Sequence, residues 1–264
     1  MPSKVFSFLA PEWFDEVEST NDIVKARLSS GADCPSGTVV AARRQTRGRG
    51  RMGNIWQSSR AGDLAFSFLL KKRGNLAEAG TLPMACGLAV LDFLASDAVG
   101  IAARCKWPND IMTENGKICG ILSESVASTE GDIRIVVGIG VNVTLDAERD
   151  GCIGTSVASL EGLSGTGCDP EKILPPLLGF LEARIALWIA EGFAAIRKDL
   201  ERHLWGVGRV VRVRKPNATV NGIIKGIGDG GELVLEDCGG EMIRVSSLAA
   251  LDFGMEGEEA GNRS

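Results

Sequence analysis

One short segment of the chain concentrates arginine and glycine in a pattern that suits anion binding. Residues 43–56 read RRQTRGRGRMGNIW, which puts five arginines within nine residues of an otherwise acidic protein. Guanidinium groups offer paired, planar donors to phosphate and carboxylate, and glycines let backbone amides approach an anion closely. Trp56 adds an aromatic face for a base, but the segment matches neither a Walker loop nor a GxGxxG turn. An anionic ligand is the favoured interpretation, with single-stranded nucleic acid and a solvated loop as alternatives.

Three further clusters combine strand-like runs with polar side chains or glycines. KWPNDIM (106–112) ends a predicted strand in a proline-fixed turn that aims an Asn-Asp pair. KICGILSES (117–125) starts a strand with a lysine, and VVGIGVNV (136–143) carries two glycines inside a strand before an asparagine. Glycine weakens a buried strand, so its presence suggests that a ligand or another chain segment needs the space. Taken singly, each cluster is also explained by a turn, a solvated strand end or a β-bulge.

Composition excludes several kinds of chemistry. The chain has one histidine, His203, and seven scattered cysteines without a CxxC, which disfavours His-based catalysis, zinc sites and a disulfide framework. A net charge of −5 argues against a general nucleic-acid binder. No run approaches the roughly 20 apolar residues of a membrane span, and the N-terminus does not read as a signal peptide. We therefore expect a cytoplasmic protein without a membrane segment, and we expect His203 to lie at the surface or at a domain contact.

The hydrophobic pattern predicts a mixed α/β body followed by a small β-barrel. The predicted strands are 37–42, 64–70, 101–107, 117–126 and 133–143. Four helices are predicted: a short one after Ser19, one over 76–97, one that starts at Pro170, and a further one that ends near Trp205. Short β runs over 206–252, separated by Gly and Asp, indicate a barrel of the SH3 or OB kind. The predicted units are residues 1–205, residues 206–253 and a disordered acidic tail, 254–264.

Taken together and in this order, the four clusters resemble the biotin protein ligases, the biotin–[acetyl-CoA-carboxylase] ligase family. The resemblance includes ESTND at 18–22 and runs from about residue 13 to about residue 251. It implies an α/β (α+β) fold: a mixed sheet flanked by helices, the class II synthetase-like biotin/lipoate ligase catalytic domain, with a C-terminal SH3-like barrel. It also implies a two-step reaction that uses ATP, Mg²⁺ and biotin. Biotin is first activated as biotinyl-5′-AMP, and a lysine of a biotin carboxyl carrier protein then accepts the biotinyl group.

The resemblance also implies roles for individual residues, carried over by position. The catalytic residues would be Arg49, Arg51, Lys117 and Asp110, the last of which would orient the acceptor lysine. The biotin-binding residues would be Ser19, Thr20, Asn21, Gln45, Gly48, Arg49, Gly50, Arg51, Lys117, Gly120 and Gly138. The residues that bind ATP and the adenylate would be Arg49, Arg51, Trp56, Asn109, Lys117 and Asn142, with Trp56 stacking on adenine and Asn142 bonding its edge. No metal ligand is firmly assigned, although Asn109 and Asp110 could assist a metal.

Some positions depart from the family pattern, and some alternatives stay open. The loop commonly reads GRGRRGRxW, whereas Met52 and Asn54 replace arginines here, and Arg47 stands where a small residue is usual. We expect these substitutions to affect the affinity for ATP before any other property. Few residues precede the motifs, so the chain resembles the members without a DNA-binding domain, and we expect no DNA binding. A lipoate or octanoate ligase or transferase of the same fold and a non-catalytic RNA-binding module that uses the RGRG loop remain alternatives. The sequence does not decide between monomer and homodimer.

Overall fold

The computed structural model of the protein describes most of the chain. The described residues are 5–58, 62–74, 76–126, 132–144, 146, 156–215, 218–246 and 250–252. The predicted tail at 254–264 and most of the predicted turn at 128–132 lie outside these ranges.

A seven-stranded mixed sheet forms the larger body. Its strands are β1 (Glu12–Val17), β2 (Val39–Gln45), β5 (Leu64–Arg73), β6 (Arg104–Lys106), β7 (Asp110–Thr113), β8 (Gly116–Val126) and β9 (Asp132–Val141). They lie in the order β1-β2-β5-β9-β8-β7-β6. The β1–β2 pair is parallel and the other neighbouring pairs are antiparallel. A small hairpin, β3 (Gly48–Arg49) and β4 (Ile55–Trp56), encloses a 3₁₀ turn at Arg51–Gly53 and carries the basic segment.

Helices cover both faces of this sheet. They are α1 (Thr20–Ser29), α2 (Leu76–Ala79), α3 (Leu82–Ala95), α4 (Leu160–Ser164), α5 (Pro170–Glu191) and α6 (Ala194–Arg202). Val39 and Ala41 of β2 face the core that contains α3 and α5, whereas Val40 packs with Val24 of α1 on the opposite face. Strands buried on both faces read as continuous apolar runs, which explains the VVAA and LAFSFLL segments.

Two of the predicted elements differ from the structure for local reasons. The predicted helix at 76–97 is two helices, because Pro83 has no amide hydrogen and is tolerated only in the first turn of α3. The predicted strand at 101–107 covers Arg104–Lys106, and the proline turn leads directly into β7 rather than ending the sheet. In this tight hairpin Lys106 pairs with Asp110, so the turn holds Asn109 beside the strand ends.

Helix α5 corrects the expectation that no run approaches a membrane span. It has 22 residues and a mean hydropathy of 1.6 over its most apolar window, so by length and composition alone it could cross a membrane. One such helix is weak support for a span, because core helices of globular proteins pass the same test. Its Leu181, Ile185 and Trp188 are buried in the core, and it packs against α3.

A five-stranded antiparallel sheet follows the helices. Its strands are β10 (Val210–Lys215), β11 (Ala218–Ile227), β12 (Leu233–Glu236), β13 (Met242–Val245) and β14 (Ala250–Asp252). They lie in the order β13-β12-β11-β10-β14. The indole nitrogen of Trp107 donates to the carbonyl of Gly231, in the β11–β12 turn, at 2.9 Å. Buried residues of both sheets form one continuous core, so this small sheet is fixed against the larger body. The domain boundaries at 205/206 and 253/254 stay predictions.

Candidate active site

A cavity of about 610 Å³ opens between the sheet, the start of α1, the β3–β4 hairpin and the turn at 107–109. This volume lies within the range of small-molecule sites. Every predicted site residue except Gly48 lines it: Ser19, Thr20, Asn21, Gln45, Arg49, Gly50, Arg51, Trp56, Asn109, Asp110, Lys117, Gly120, Gly138 and Asn142. Gly48 is buried in the hairpin, where a Cβ would lie 2.4 Å from the carbonyl oxygen of Trp56. The structure thus brings together residues that are far apart in the sequence.

The floor of the cavity is a buried chain of uncharged polar groups. The side-chain oxygen of Gln45 accepts from the backbone amide of Thr20 at 2.8 Å. The hydroxyls of Thr20 and Ser67 are 2.6 Å apart, and Ser67 donates to the side-chain oxygen of Asn21 at 2.5 Å. Ser19 occupies the N-cap position of α1 without capping the helix through its hydroxyl. These fixed donors and acceptors suit a polar, uncharged ring. Ser67 was not among the predicted site residues, although a serine inside the apolar strand LAFSFLL was the available signal.

Three strand glycines make room for protein side chains at the cavity. Gly120 of β8 and Gly140 of β9 pair across the sheet, and the indole of Trp56 lies over both. A Cβ at Gly140 would lie 2.4 Å from Cε2 of Trp56, and a Cβ at Gly138 would lie 2.3 Å from Oδ1 of Asn21. The indole nitrogen of Trp56 is buried without a hydrogen-bond partner. Of the two predicted occupants of this space, a ligand or another segment of the chain, the structure shows the second: Trp56 and Asn21 occupy it and themselves face the cavity.

The wall opposite the floor carries two cations and one carboxylate. Nζ of Lys117 lies 2.7 Å from Oδ1 of Asp110 and 5.6 Å from the centre of the Trp56 ring. That carboxylate oxygen is buried and accepts no hydrogen bond of good geometry. Arg51 donates to the side-chain oxygen of Asn109 at 3.0 Å, and Asn109 in turn donates to the carbonyl of Ile121 at 2.8 Å. Burial lowers the pKa of Arg51, against the opposing charge of Asp110. The net positive charge of this wall suits a phosphate or a carboxylate.

Two arginines of the basic segment line the cavity, and the other three are paired outside it. Arg51 bonds Asn109 inside, and Arg49 pairs with Asp22 at the rim. The outer pairs are Arg43–Glu171, Arg44–Glu16 and Arg47–Glu18. Arg47, which stands in place of a small residue, does not line the cavity. Most of the segment is therefore neutralised by the protein's own acids, which argues against the RNA-binding alternative, since that needs cations directed at a phosphate backbone.

The remaining candidates are placed by backbone contacts. Asn142 is buried and donates through its side chain to the carbonyl of Lys117 at 2.9 Å, which fixes the strand end from which Lys117 emerges. His203 is exposed at the end of α6, and its carbonyl accepts from the amide of Cys105, away from the cavity. Cys119 is fully buried, and burial raises the pKa of its thiol far above the usual range. Neither His203 nor Cys119 is positioned as a nucleophile or base.

Comparison with known proteins agrees with this arrangement. Residues 13–142 match the model of the biotin/lipoate A/B protein ligase family. The biotin–[acetyl-CoA-carboxylase] ligase of Paracoccus denitrificans is 36% identical over 213 residues, 77% of this chain and 86% of the relative. The enzyme of that name from Mycobacterium tuberculosis is 36% identical over 87% of this chain and 84% of its own length.

A solved structure gives the same result. The biotin protein ligase from Aquifex aeolicus, in complex with biotin and ATP, superposes with a TM-score of 0.78 and 27% identity, and the match covers 93% of this chain and 100% of that chain. The fold and the cavity thus define a catalytic unit of the biotin/lipoate ligase class, which confirms the predicted fold. Within that class, the chain belongs to the biotin protein ligase family.

Proposed function

We propose that the protein is an ATP-dependent ligase that activates biotin as biotinyl-5′-AMP and transfers it to a lysine of a biotin carboxyl carrier protein. The observation that carries the proposal is the cavity itself, in which an uncharged polar floor faces a cationic wall. Relatives support it, since two are named biotin–[acetyl-CoA-carboxylase] ligases and the Aquifex protein binds biotin and ATP.

In the first step, a carboxylate oxygen of biotin attacks the α-phosphorus of ATP, and the bond to the bridging oxygen of the β-phosphate breaks. Biotinyl-5′-AMP forms and pyrophosphate leaves. Two anions must meet, so charge repulsion is a main part of the barrier. Arg51 and Lys117, held by Asn109 and Asp110, offer fixed positive charge in a partly buried site, where such stabilisation is strongest.

In the second step, the amine of the acceptor lysine attacks the carbonyl carbon of the mixed anhydride, and AMP leaves. A lysine amine has a pKa of about 10.4 and is mostly protonated at neutral pH. The carboxylate of Asp110 lines the cavity and is ion-paired with Lys117, and we propose that it receives the arriving ammonium in exchange for Lys117. No covalent intermediate with the enzyme is needed, which is consistent with a buried Cys119 and a remote His203.

Mg²⁺ fits the site as an ion carried mainly by phosphates. Among the described residues no group of three or more His, Cys, Asp or Glu side chains could hold a metal. Mg²⁺ commonly binds through one or two carboxylates together with substrate phosphates, and Asp110, aided by Asn109, would supply the protein's share from the wall of the cavity. When bound, the ion would neutralise phosphate charge.

The lipoate and octanoate alternative is disfavoured by the floor of the cavity. The groups of Thr20, Gln45, Ser67 and Asn21 are oriented donors and acceptors in a buried place. A dithiolane ring or an alkyl chain offers these groups no donor or acceptor, and a site built to hydrogen-bond a polar ligand discriminates against an analogue that lacks the polar groups. The ureido ring of biotin can bond them.

The test is pyrophosphate exchange into ATP with purified protein and Mg²⁺, comparing biotin, lipoate, octanoate and no acid. Exchange with biotin alone is the expected result, followed by transfer to a purified carrier domain. Exchange with lipoate or octanoate would move the protein to the sister activity, and a folded protein without exchange would contradict the proposal. The individual residue roles, the lack of DNA binding and the cytoplasmic location stay predictions from the sequence.

A further inference from the structure

Four charged side chains form a closed square at the rim of the cavity. Arg49 of the hairpin donates to both carboxylate oxygens of Asp22, at 2.9 and 2.7 Å, and lies 3.2 Å from Glu124. On the opposite side, Lys25 lies 3.1 Å from Asp22 and 2.9 Å from Glu124. Each cation therefore contacts both anions. We call this group the charge square; it connects the hairpin to α1 and β8.

Glu124 also belongs to the chain of polar groups on the cavity floor. Its Oε2 accepts from the side-chain nitrogen of Asn21 at 2.7 Å, while the oxygen of Asn21 accepts from Ser67. Gly138 leaves the space that Asn21 occupies. Burial favours the neutral form of Glu124, but hydrogen bonds from Asn21 and Lys25 outweigh it and hold the pKa below its usual range. A single carboxylate thus contacts both the floor and the hairpin.

We propose that Glu124 is a positioning residue that couples the floor of the cavity to the hairpin, so that Asn21 and Arg49 are held in place together. The proposal rests on the proposed function, since the floor is where biotin would bind. Glu124 does not line the cavity and does not act on the reacting atoms. Arg49 is held in the charge square by Asp22 and Glu124, so it has a structural role besides the catalytic role implied by the resemblance.

The coupling follows from what each partner loses without the carboxylate charge. Asn21 would lose a charged acceptor and could turn away from Ser67, which disturbs the floor. Arg49 would keep Asp22 alone, so the hairpin would have one attachment fewer. A hydrogen bond to a charged group contributes more than a neutral one, whereas the exposed Arg49–Asp22 pair contributes less because solvent screens it. We therefore expect the change at Glu124 to matter more than the same change at Asp22.

Three matched carboxylate-to-amide variants test this. Glu124→Gln removes the charge shared by the floor and the hairpin. Asp22→Asn removes a charge of the square that does not contact Asn21. Glu16→Gln is the control, because Glu16 forms an ion pair with Arg44 outside the cavity. The measurements are KM for biotin, KM for ATP and kcat in pyrophosphate exchange, together with the rate of trypsin cleavage after the hairpin arginines without ligand.

We expect Glu124→Gln to raise KM for biotin about tenfold, as loss of a charged hydrogen bond would, with a smaller change in kcat. Trypsin should cleave the hairpin of this variant faster than that of the wild type. Asp22→Asn should speed cleavage with little change in KM for biotin, and Glu16→Gln should change neither. The proposal would be wrong if Glu124→Gln had the kinetics and the cleavage rate of the wild type. It would also be wrong if this variant changed kcat and both KM values equally and had a lowered melting temperature. Absence of exchange in the wild type would contradict the proposed function instead, while the cleavage rates would still decide whether Glu124 holds the hairpin.

Discussion

Replacing Gly140 by alanine should displace Trp56 and disturb the nucleotide end of the cavity. The added Cβ would lie 2.4 Å from Cε2 of Trp56, whereas ordinary contacts begin near 3.4 Å, so the indole must retreat by about 1 Å. Trp56 lies on a two-residue strand at the rim and can move, so the cost to folding should be at the low end of overpacking, about 1 kcal/mol. A displacement of 1 Å near reacting groups can lower a rate about 100-fold.

The same substitution two residues earlier provides the matched control. A Cβ at Gly138 would lie 2.3 Å from Oδ1 of Asn21 and disturb the floor rather than Trp56. In pyrophosphate exchange, Gly140→Ala should therefore mainly raise KM for ATP or lower kcat, and Gly138→Ala should mainly raise KM for biotin. Thermal unfolding of both variants should show a small and similar loss of stability. If Gly140→Ala leaves KM for ATP and kcat unchanged, the indole does not serve the nucleotide and our interpretation of Trp56 is wrong.

Three further predictions concern the stability of the fold, its dependence on pH and the affinity for ATP. Trp107→Phe removes the hydrogen bond to Gly231 and should lower the free energy of unfolding by about 1 kcal/mol, measured by urea denaturation, and lower exchange activity. Burial alone would raise the pKa values of Asp22 and Glu124, but hydrogen bonds lower them, from Arg49 and Lys25 to Asp22 and from Asn21 and Lys25 to Glu124. These two carboxylates should contribute fully to stability above the ordinary carboxylate pKa of about 4, and the contribution should be lost as the pH falls through their lower pKa values in the folded protein. Below that pH the melting temperature of the wild type should therefore fall more steeply than that of Glu124→Gln, and equal slopes would refute this reasoning. Arg47→Ser should leave KM for ATP unchanged, because Arg47 is paired outside the cavity.

The sequence predicted the parts of the site that local chemistry determines. Glycines inside apolar strands marked the places where other groups come close, and the proline turn marked the position of Asn109. The segment EWFDEV was not identified as β1, because half of its residues are acidic and its pairing with β2 joins residues far apart in the chain. Ser67 and Glu124 were not assigned to the site either. Their roles depend on α1 packing over β5 and β9, which brings Asn21 to both residues and which no local pattern encodes.

The ion pairs formed by the arginines of the basic segment could not be predicted from the sequence either. Five neighbouring arginines looked equivalent, but backbone geometry sends them in different directions. The residues of β2 alternate between the two faces of the sheet, and the hairpin then turns Arg51 inward. Acids from β1, α1 and α5 meet the others only after the tertiary structure has formed. An arginine count therefore overstated the positive charge available to a ligand.

The bond from Trp107 to Gly231 has a consequence for the order in which the protein is made. The two residues are 124 positions apart, and the acceptor belongs to the small C-terminal sheet. Synthesis from the N-terminus delivers every lining residue of the cavity before it delivers this carbonyl. A nascent or truncated chain can thus hold all the side chains of the site while the turn at 107–109 lacks its anchor. The hydrogen bond from Trp107 to Gly231 can form only after the last sheet has been made, so a chain that stops before Gly231 would have the lining residues without this contact.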